Sequence, residues 1–242
     1  MNFPGIGRGA RATSAASYGR FGALRQARWL AWLTLMAGMA GLLFQGGTQA
    51  AAGRSLRIVA FGDSLTAGYG LPQSAAFPAV LERALKARGH NIEIVNAGVS
   101  GDTASGGLDR LDWSVPDGTD GVILELGAND MLRGLDPAAT QRALDTIVSR
   151  LKGRGIPVLL AGMYASRNLG PAYVGRFDAI YRDLAAKHGL MLYPFFLDGV
   201  AGERTLNLPD GIHPTAQGVE TIVQRMVPTV EAFLTRATAA RR

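Results

Sequence analysis

The chain has 242 residues, of which 48% are hydrophobic and 18% charged, and it contains no cysteine. This composition is typical of a globular protein of one or two domains and argues against intrinsic disorder. The absence of cysteine excludes a disulfide scaffold, a thiol nucleophile, a cysteine zinc site and a lipidated N-terminal cysteine.

The formal net charge of +6 comes entirely from the N-terminal segment. Residues 1–54 contain six arginines and no acidic residue, so residues 55–242 carry equal numbers of basic and acidic side chains. Because a body without net charge is a poor electrostatic partner for a phosphate backbone, we expect no nucleic-acid partner.

The first 52 residues have the pattern of a secretory signal. An unusually long basic region precedes the uncharged apolar run 29–44, and small residues follow at 50–52. We predict a Sec-type signal peptide over 1–52, a mature domain over 53–242, and a periplasmic or secreted location in a bacterium. The alternative is an inner-membrane protein anchored by an uncleaved helix. The length of the apolar run disfavours such an anchor, because the run is shorter than the roughly 20 residues that a spanning helix needs.

Beyond residue 54, short apolar runs alternate with amphipathic segments. Alternation of this kind indicates βαβ units, and near-continuous apolar runs are typical of buried parallel strands. We therefore predict an α/β fold: a single-domain three-layer α/β/α sandwich with a flavodoxin-like parallel sheet of about five strands. Strands are predicted at 56–61, 92–95, 121–126, 157–161 and 190–193, and helices at 75–88, 137–152, 173–188 and 215–234, the last with a candidate kink at Pro228.

Such a sheet binds ligands beyond the C-terminal ends of its strands. The loops concerned are 62–74, 96–104, 127–136, 162–172 and 194–214. Four of them carry polar motifs: GDSLTAGYG at 62–70, NAGVSGDT at 96–103, GAND at 127–130 and PDGIHP at 209–214.

These motifs contain the residue types of a serine nucleophile with its general base. The hydroxyl of Ser64 needs such a base. His90 precedes the second strand and His188 ends a helix, which leaves His213 on the C-terminal side of the sheet. Asp210, three residues before His213, is close enough to orient the imidazole.

The same loops offer donors for the oxyanion of a tetrahedral intermediate. They are the backbone N–H groups of Ser64 and Gly101 and the side-chain amide of Asn129. Serine, aspartate and asparagine are also common helix caps, and we interpret Asp63 and Asp130 as structural caps or braces. A structural explanation of the whole set would need several coincidences on one sheet edge, so we assign it to catalysis.

The four blocks, in this order, resemble the GDSL or SGNH hydrolase family. The resemblance covers nearly all of 55–235 and is strongest to the subgroup of periplasmic acyl-CoA thioesterases, lysophospholipases and arylesterases. It implies the SGNH hydrolase fold, a nucleophilic Ser64, His213 as base, Asp210 as its partner, and an oxyanion hole completed by Gly101 and Asn129. It also implies a monomer that uses neither cofactor nor metal. At residue 128 the chain has alanine where the nearest members often have glycine.

The predicted function is hydrolysis of aryl and fatty acyl esters, acyl thioesters and lysophospholipids through an acyl-enzyme. Membrane contact is expected only through the signal segment or a lipid substrate. One alternative is a carbohydrate O-acetylesterase of the same fold, which more polar loops would favour. Another is a non-catalytic flavodoxin-like binding module, which gives no reason for an aspartate and a histidine three residues apart. Apolar loop residues that could line an acyl site, or simply pack the loops, are Met131, Leu132, Leu135, Met163, Tyr164 and Leu169.

Overall fold

The computed structural model describes residues 54–239. At its centre lies a sheet of five parallel strands in the order β2-β1-β3-β4-β5. The predicted signal peptide falls outside the described residues, so its boundary stays a prediction. The strands are β1 (Leu56–Gly62), β2 (Ile92–Gly98), β3 (Gly121–Glu125), β4 (Val158–Ala161) and β5 (Met191–Tyr193).

Helices cover the two faces of the sheet. They are α1 (Ser64–Ala67), α2 (Phe77–Ala87), α3 (Ala104–Asp109), α4 (Leu111–Ser114), α5 (Ala128–Leu132), α6 (Pro137–Gly153), α7 (Pro171–His188) and α8 (Ala216–Ala239). Short 3-10 turns occur at Gln73–Ala75 and Arg167–Leu169. Helix α2 packs against α8, while α6 packs against α3 and α7. Together with the parallel sheet, these two groups form the α/β/α sandwich that the sequence predicts.

The apolar periodicity of the sequence accounts for the long helices and the central strands. All five residues of β3 are buried, as expected of a strand covered on both faces. Leu144, Ile147, Val148 and Leu151, which share the predicted apolar face of α6, are also buried. Burial of such faces is the main force that stabilises the sandwich.

The structure differs from the prediction in several boundaries. Strand β2 continues beyond residue 95 to Gly98, because residues 96–98 keep their parallel register with residues 60–62 of β1. The last helix runs on to Ala239, and it passes through Pro228 without ending there. The loops 62–74, 96–104 and 127–136 contain α1, the start of α3, and α5, which are too short to show a helical period.

The strand order places a topological switch between β1 and β3. The chain leaves β1 towards β2 on one side and later returns to β3 on the other. The loops that follow these two strands therefore diverge and leave a crevice at the C-terminal edge of the sheet. No helix within residues 54–239 is both long and apolar enough to cross a membrane.

Candidate active site

The crevice brings together three side chains that are far apart in sequence. Ser64 Oγ lies 2.9 Å from His213 Nε2, which accepts its hydrogen bond. On the other side of the ring, His213 Nδ1 donates to Asp210 Oδ2 at 2.7 Å. The chain from serine to histidine to aspartate is therefore continuous and within hydrogen-bond distance at both steps.

The loop before α8 is shaped by Asp210 itself. Asp210 Oδ1 accepts the backbone N–H groups of Ile212 at 2.9 Å and of His213 at 3.0 Å. These bonds, together with the bond from the His213 ring, lower the pKa of Asp210 to about 2. The carboxylate is thus ionised at any ordinary pH, and it accepts the N–H of Nδ1, which turns Nε2 towards Ser64.

Ser64 is the first residue of α1, directly after β1. Asp63 caps this helix, since its Oδ1 accepts the N–H of Leu65 at 3.0 Å, which confirms the structural role predicted for it. The ring of Tyr69 packs against the His213 ring with centroids 4.4 Å apart. Sequence reasoning missed Tyr69, because nothing in its motif indicates which distant ring it contacts.

Asn129 and Gly101 follow β3 and β2 at the same edge. Asn129 lies in α5, and its Nδ2 donates to Asp63 Oδ2 at 3.0 Å. Gly127 allows the turn into α5: its φ is +115°, and an added Cβ would meet the Tyr181 hydroxyl at 2.4 Å. Gly101 has φ +86°, and its carbonyl accepts Arg133 Nη2 at 2.6 Å.

Asp130 is a brace rather than part of the crevice. Its Oδ2 accepts the N–H of Ala104 at 2.8 Å, and its Oδ1 accepts the hydroxyl of Thr140 at 3.0 Å. The carboxylate therefore joins α5 to α3 and α6. This confirms the structural interpretation of Asp130.

Glu125, at the end of β3, is a second residue that sequence reasoning missed. It is buried beside Asp63, and its Oε2 accepts the Thr66 hydroxyl at 2.8 Å. Burial raises the pKa of both carboxyl groups, that of Asp63 to about 6. A charged residue type inside the otherwise apolar run 121–126 was the available signal, because such residues are rarely buried without a partner.

A buried guanidinium joins the ends of β1 and β2. Arg110 donates from Nη2 to the carbonyl of Gly62 at 2.7 Å and from Nη1 to that of Ala97 at 2.9 Å. Its Nε donates to Asp102, and Nη1 also reaches Ser114 Oγ at 3.1 Å. The two strand ends that precede Ser64 and Gly101 are thereby held together.

A cavity of about 480 Å³ opens beside Ser64, Asn129 and His213. Much of its wall is apolar. The apolar residues that line it include Met131, Leu132, Met163, Tyr164, Phe195 and Ile212.

Two of the apolar loop residues that could line this wall have other contacts. Leu135 follows the turn at Gly134 (φ +63°), and its carbonyl accepts the Tyr173 hydroxyl at 2.9 Å. Leu169 packs against the hydrophobic core instead. Of the two possibilities that the sequence leaves open, an acyl site or loop packing, these contacts match loop packing.

The other two histidines are engaged away from Ser64. His90 Nε2 lies 3.0 Å from Glu231 Oε1, and His188 Nε2 lies 2.6 Å from Asp145 Oδ1. Within residues 54–239, no group of three or more histidine or acidic side chains is arranged to hold a metal ion.

A serine bonded to a histidine that is itself bonded to an aspartate, at the C-terminal edge of a parallel sheet, is the arrangement that serine hydrolases use. Residues 60–220 match the model of the GDSL-like Lipase/Acylhydrolase family, and the chain belongs to that family.

Similar proteins agree with this assignment. The chain is 38% identical over 188 residues to Esterase TesA of Pseudomonas aeruginosa, covering 77% of this chain and 92% of that protein. It is 36% identical over 187 residues to Thioesterase 1/protease 1/lysophospholipase L1 of Escherichia coli K12, covering 77% of this chain and 88% of that protein. The solved structure of AlinE4, an SGNH-hydrolase family esterase, is 48% identical with a TM-score of 0.64, covering 74% of this chain and 97% of that one. The fold is thus that of the SGNH hydrolases, and the protein is an enzyme that hydrolyses ester bonds.

Proposed function

We propose that Ser64 is the nucleophile of this esterase, His213 its general base and Asp210 the residue that orients the base. The observation that carries the proposal is the unbroken pair of hydrogen bonds, 2.9 Å from serine to histidine and 2.7 Å from histidine to aspartate. A serine hydroxyl is a weak nucleophile until a base within this distance removes its proton.

The reaction is a two-step acyl transfer. His213 Nε2 takes the proton of Ser64 as Oγ attacks the carbonyl carbon, and Asp210 stabilises the imidazolium that forms. The imidazolium then protonates the leaving alkoxide or thiolate, which departs and leaves an acyl ester on Oγ. In the second step His213 removes a proton from water, the hydroxide attacks the acyl group, and the acid leaves as Ser64 regains its proton.

The oxyanion of each tetrahedral intermediate is held by the backbone N–H groups of Ser64 and Gly101 and by Asn129 Nδ2. Asn129 lines the same cavity as Ser64 and His213, which supports its part in the set. Donors that are already oriented before reaction stabilise developing charge strongly, because no reorganisation is needed.

The apolar cavity wall supports acyl chains as the group that is bound. Met131, Leu132 and Tyr164, proposed from the sequence as substrate-binding residues, lie on this wall with Phe195. We propose aryl and fatty acyl esters, acyl thioesters and lysophospholipids as substrates, in keeping with the names of the relatives. A carbohydrate O-acetylesterase would be expected to offer a more polar wall.

Hydrolysis of a short-chain p-nitrophenyl ester by the purified protein and by Ser64→Ala tests the proposal. Ser149→Ala is the control, since Ser149 is exposed on α6 and does not line the cavity. We expect turnover that is lost in Ser64→Ala and kept in Ser149→Ala. Turnover retained by a folded Ser64→Ala would refute the assignment.

We further propose that the protein is exported, with residues 1–52 removed as a signal peptide, and that it acts as a monomer. The basic and apolar pattern of the segment supports export. N-terminal sequencing of the protein recovered from a periplasmic fraction locates the cleavage site. Light scattering of the same material gives its mass in solution.

A further inference from the structure

Two buried carboxyl groups lie next to the catalytic serine, and the mechanism above uses neither. Asp63 is fully buried and Glu125 is 1% exposed. The two carboxyl groups are close enough for each to shift the pKa of the other. Acidic side chains are almost never fully buried unless they are paired, so this pair calls for a physical reason.

Asp63 controls which end of the Asn129 amide faces it. Its Oδ1 accepts the N–H of Leu65 and its Oδ2 accepts Nδ2 of Asn129, each at 3.0 Å. An ionised carboxylate only accepts hydrogen bonds, so Asn129 must present its NH₂ group and not its oxygen. The second hydrogen of that NH₂ group then remains for the oxyanion. If the amide turned over, its oxygen would face the oxyanion and repel it.

Glu125 has the surroundings of a neutral acid. Its Oε2 accepts the Thr66 hydroxyl at 2.8 Å and the N–H of Asp63 at 3.4 Å. Among residues 54–239, its Oε1 has no hydrogen-bond partner although it is buried. A buried carboxylate oxygen without a donor is costly, and protonation of Oε1 removes that cost by turning the oxygen into a hydroxyl donor. Burial and the charge of Asp63 raise the pKa of Glu125 well above its usual range, which agrees with a neutral Glu125.

We propose that Asp63 is a positioning residue that holds the Asn129 amide with its NH₂ group available to the oxyanion. Neutral Glu125 is the proton donor that keeps Asp63 in its ionised, acceptor-only form. This inference rests on the proposed function, since it takes Asn129 as an oxyanion donor.

Three other ionisable side chains face the pair. His213, before α8, lowers the pKa of Asp63 by its charge when it is protonated. Tyr181, on α7, is neutral, because burial and the nearby carboxylates raise its pKa well above its usual range. Arg110, between α3 and α4, directs its guanidinium to the carbonyl of Gly62. None of them touches the Asn129 amide among the described bonds, which leaves Asp63 as the group that orients it.

The test is a double-mutant cycle of Asp63→Asn and Asn129→Ala, measured as kcat and KM. In Asp63→Asn the side chain has a single acceptor oxygen for two donors. Either the N–H of Leu65 loses its acceptor, or the Asn129 amide rotates so that its oxygen takes the place of its NH₂ group. We expect Asp63→Asn to lower kcat by about 10²–10³ with little change in KM, as loss of an oxyanion donor does. The double variant should be no slower than Asn129→Ala, within about threefold. Losses that multiply, or an Asp63→Asn that keeps more than about a tenth of wild-type kcat, would overturn the inference.

Asp130→Asn is the matched control. Asp130 is another buried carboxylate with two donors, but one of them is the Thr140 hydroxyl, which can rotate and accept instead. We expect its kcat to stay within a few-fold of wild type. A loss in Asp130→Asn as large as in Asp63→Asn would mean that any buried carboxylate here is merely structural.

Variants of Glu125 give a second, independent readout. Glu125→Leu removes the donor, so Asp63 should take up a proton more readily. The acid limb of the plot of kcat against pH should therefore move to higher pH. Glu125→Gln keeps a neutral donor, and its plot of kcat against pH should match that of the wild type. An unshifted profile in a folded Glu125→Leu would overturn the part assigned to Glu125.

Failure of the proposed function and failure of the positioning role give different results. Activity retained in Ser64→Ala would overturn the proposed function itself. An inactive Ser64→Ala beside a fully active Asp63→Asn would overturn only the positioning role.

Discussion

Replacement of Arg110 should destabilise the corner of the sheet that carries Ser64, the proposed nucleophile. Its guanidinium is 8% exposed and binds the carbonyls of Gly62 and Ala97, Asp102 and Ser114 Oγ. In Arg110→Ala the carboxylate of Asp102 stays in place without its cation. Breaking a buried pair in this way costs about 3–5 kcal/mol. Since 1 kcal/mol shifts the melting temperature of a domain of this size by about 2–4 °C, we expect a fall of roughly 6–20 °C.

The assay is thermal unfolding of Arg110→Ala, Arg110→Lys and Arg88→Ala. Lysine keeps the charge but cannot bind both strand ends. The melting temperature of Arg110→Lys should therefore lie between those of wild type and Arg110→Ala. Arg88→Ala is the control, because Arg88 forms an exposed ion pair with Glu231 that should contribute little. Where Arg110→Ala is still folded, its kcat should also fall, since Gly62 directly precedes Asp63 and the proposed nucleophile Ser64. A melting temperature within about 3 °C of wild type would refute the reasoning.

Further expectations follow from other contacts of the site. Asn129→Ala should lower kcat by about 10²–10³ with a modest effect on stability, measured by steady-state kinetics beside thermal melting. Tyr69→Ala should lower kcat by about 2–12-fold, because the ring of His213 loses the ring packed against it, and this range corresponds to the energy of one aromatic pair. The kcat of Tyr69→Phe should stay near that of wild type. Tyr164→Ala should raise KM for long acyl esters more than for acetyl esters, because the ring lines the cavity. The folded protein holds the proton of Asp63 more tightly than the unfolded chain, with a pKa of about 6 against 3.8, so its contribution to stability falls as pH rises through that range. Asp63→Asn should therefore gain in melting temperature relative to wild type between about pH 4 and pH 6.

Each of these has an outcome that contradicts it. A folded Asn129→Ala with near wild-type turnover removes that residue from the oxyanion hole. Equal losses in Tyr69→Ala and Tyr69→Phe would assign the effect to the hydroxyl and not to the ring. A Tyr164→Ala that raises KM equally for all chain lengths argues against an acyl wall. A melting difference between Asp63→Asn and wild type that does not change with pH contradicts the raised pKa.

The fold was predictable because most of its strands and helices are long enough to show a periodic pattern of apolar residues. Strand β3 and helix α6 are continuous or periodic in apolar residues over most of their length, and the structure reproduces both within one residue at each end. Helices α1 and α5 span four and five residues, less than two turns, so no period exists to detect. Their conformation depends on tertiary contacts, such as the approach of Gly127 to Tyr181.

The catalytic candidates were predictable as residue types in loops, and their partners were not. Serine, histidine and aspartate stand out because apolar strands carry no such groups, and parallel strands bring their C-terminal loops to one edge. The contacts of Tyr69 with His213 and of Asp63 with Asn129 join segments that are distant in sequence, and no local pattern encodes such pairs.

The amino-acid sequence by itself determined the α/β class and the loops of the candidate site, and it pointed to Ser64, His213 and Asp210 as candidates for acyl transfer. These inferences follow from local periodicity and from the chemistry of each residue type. Only the tertiary structure decided that Ser64 Oγ and His213 Nε2 lie 2.9 Å apart, that the carbonyl of Leu135 accepts the Tyr173 hydroxyl, and that Glu125 is buried beside Asp63. Distances and burial depend on how separate elements pack against one another, and packing is a property of the whole chain and not of any segment.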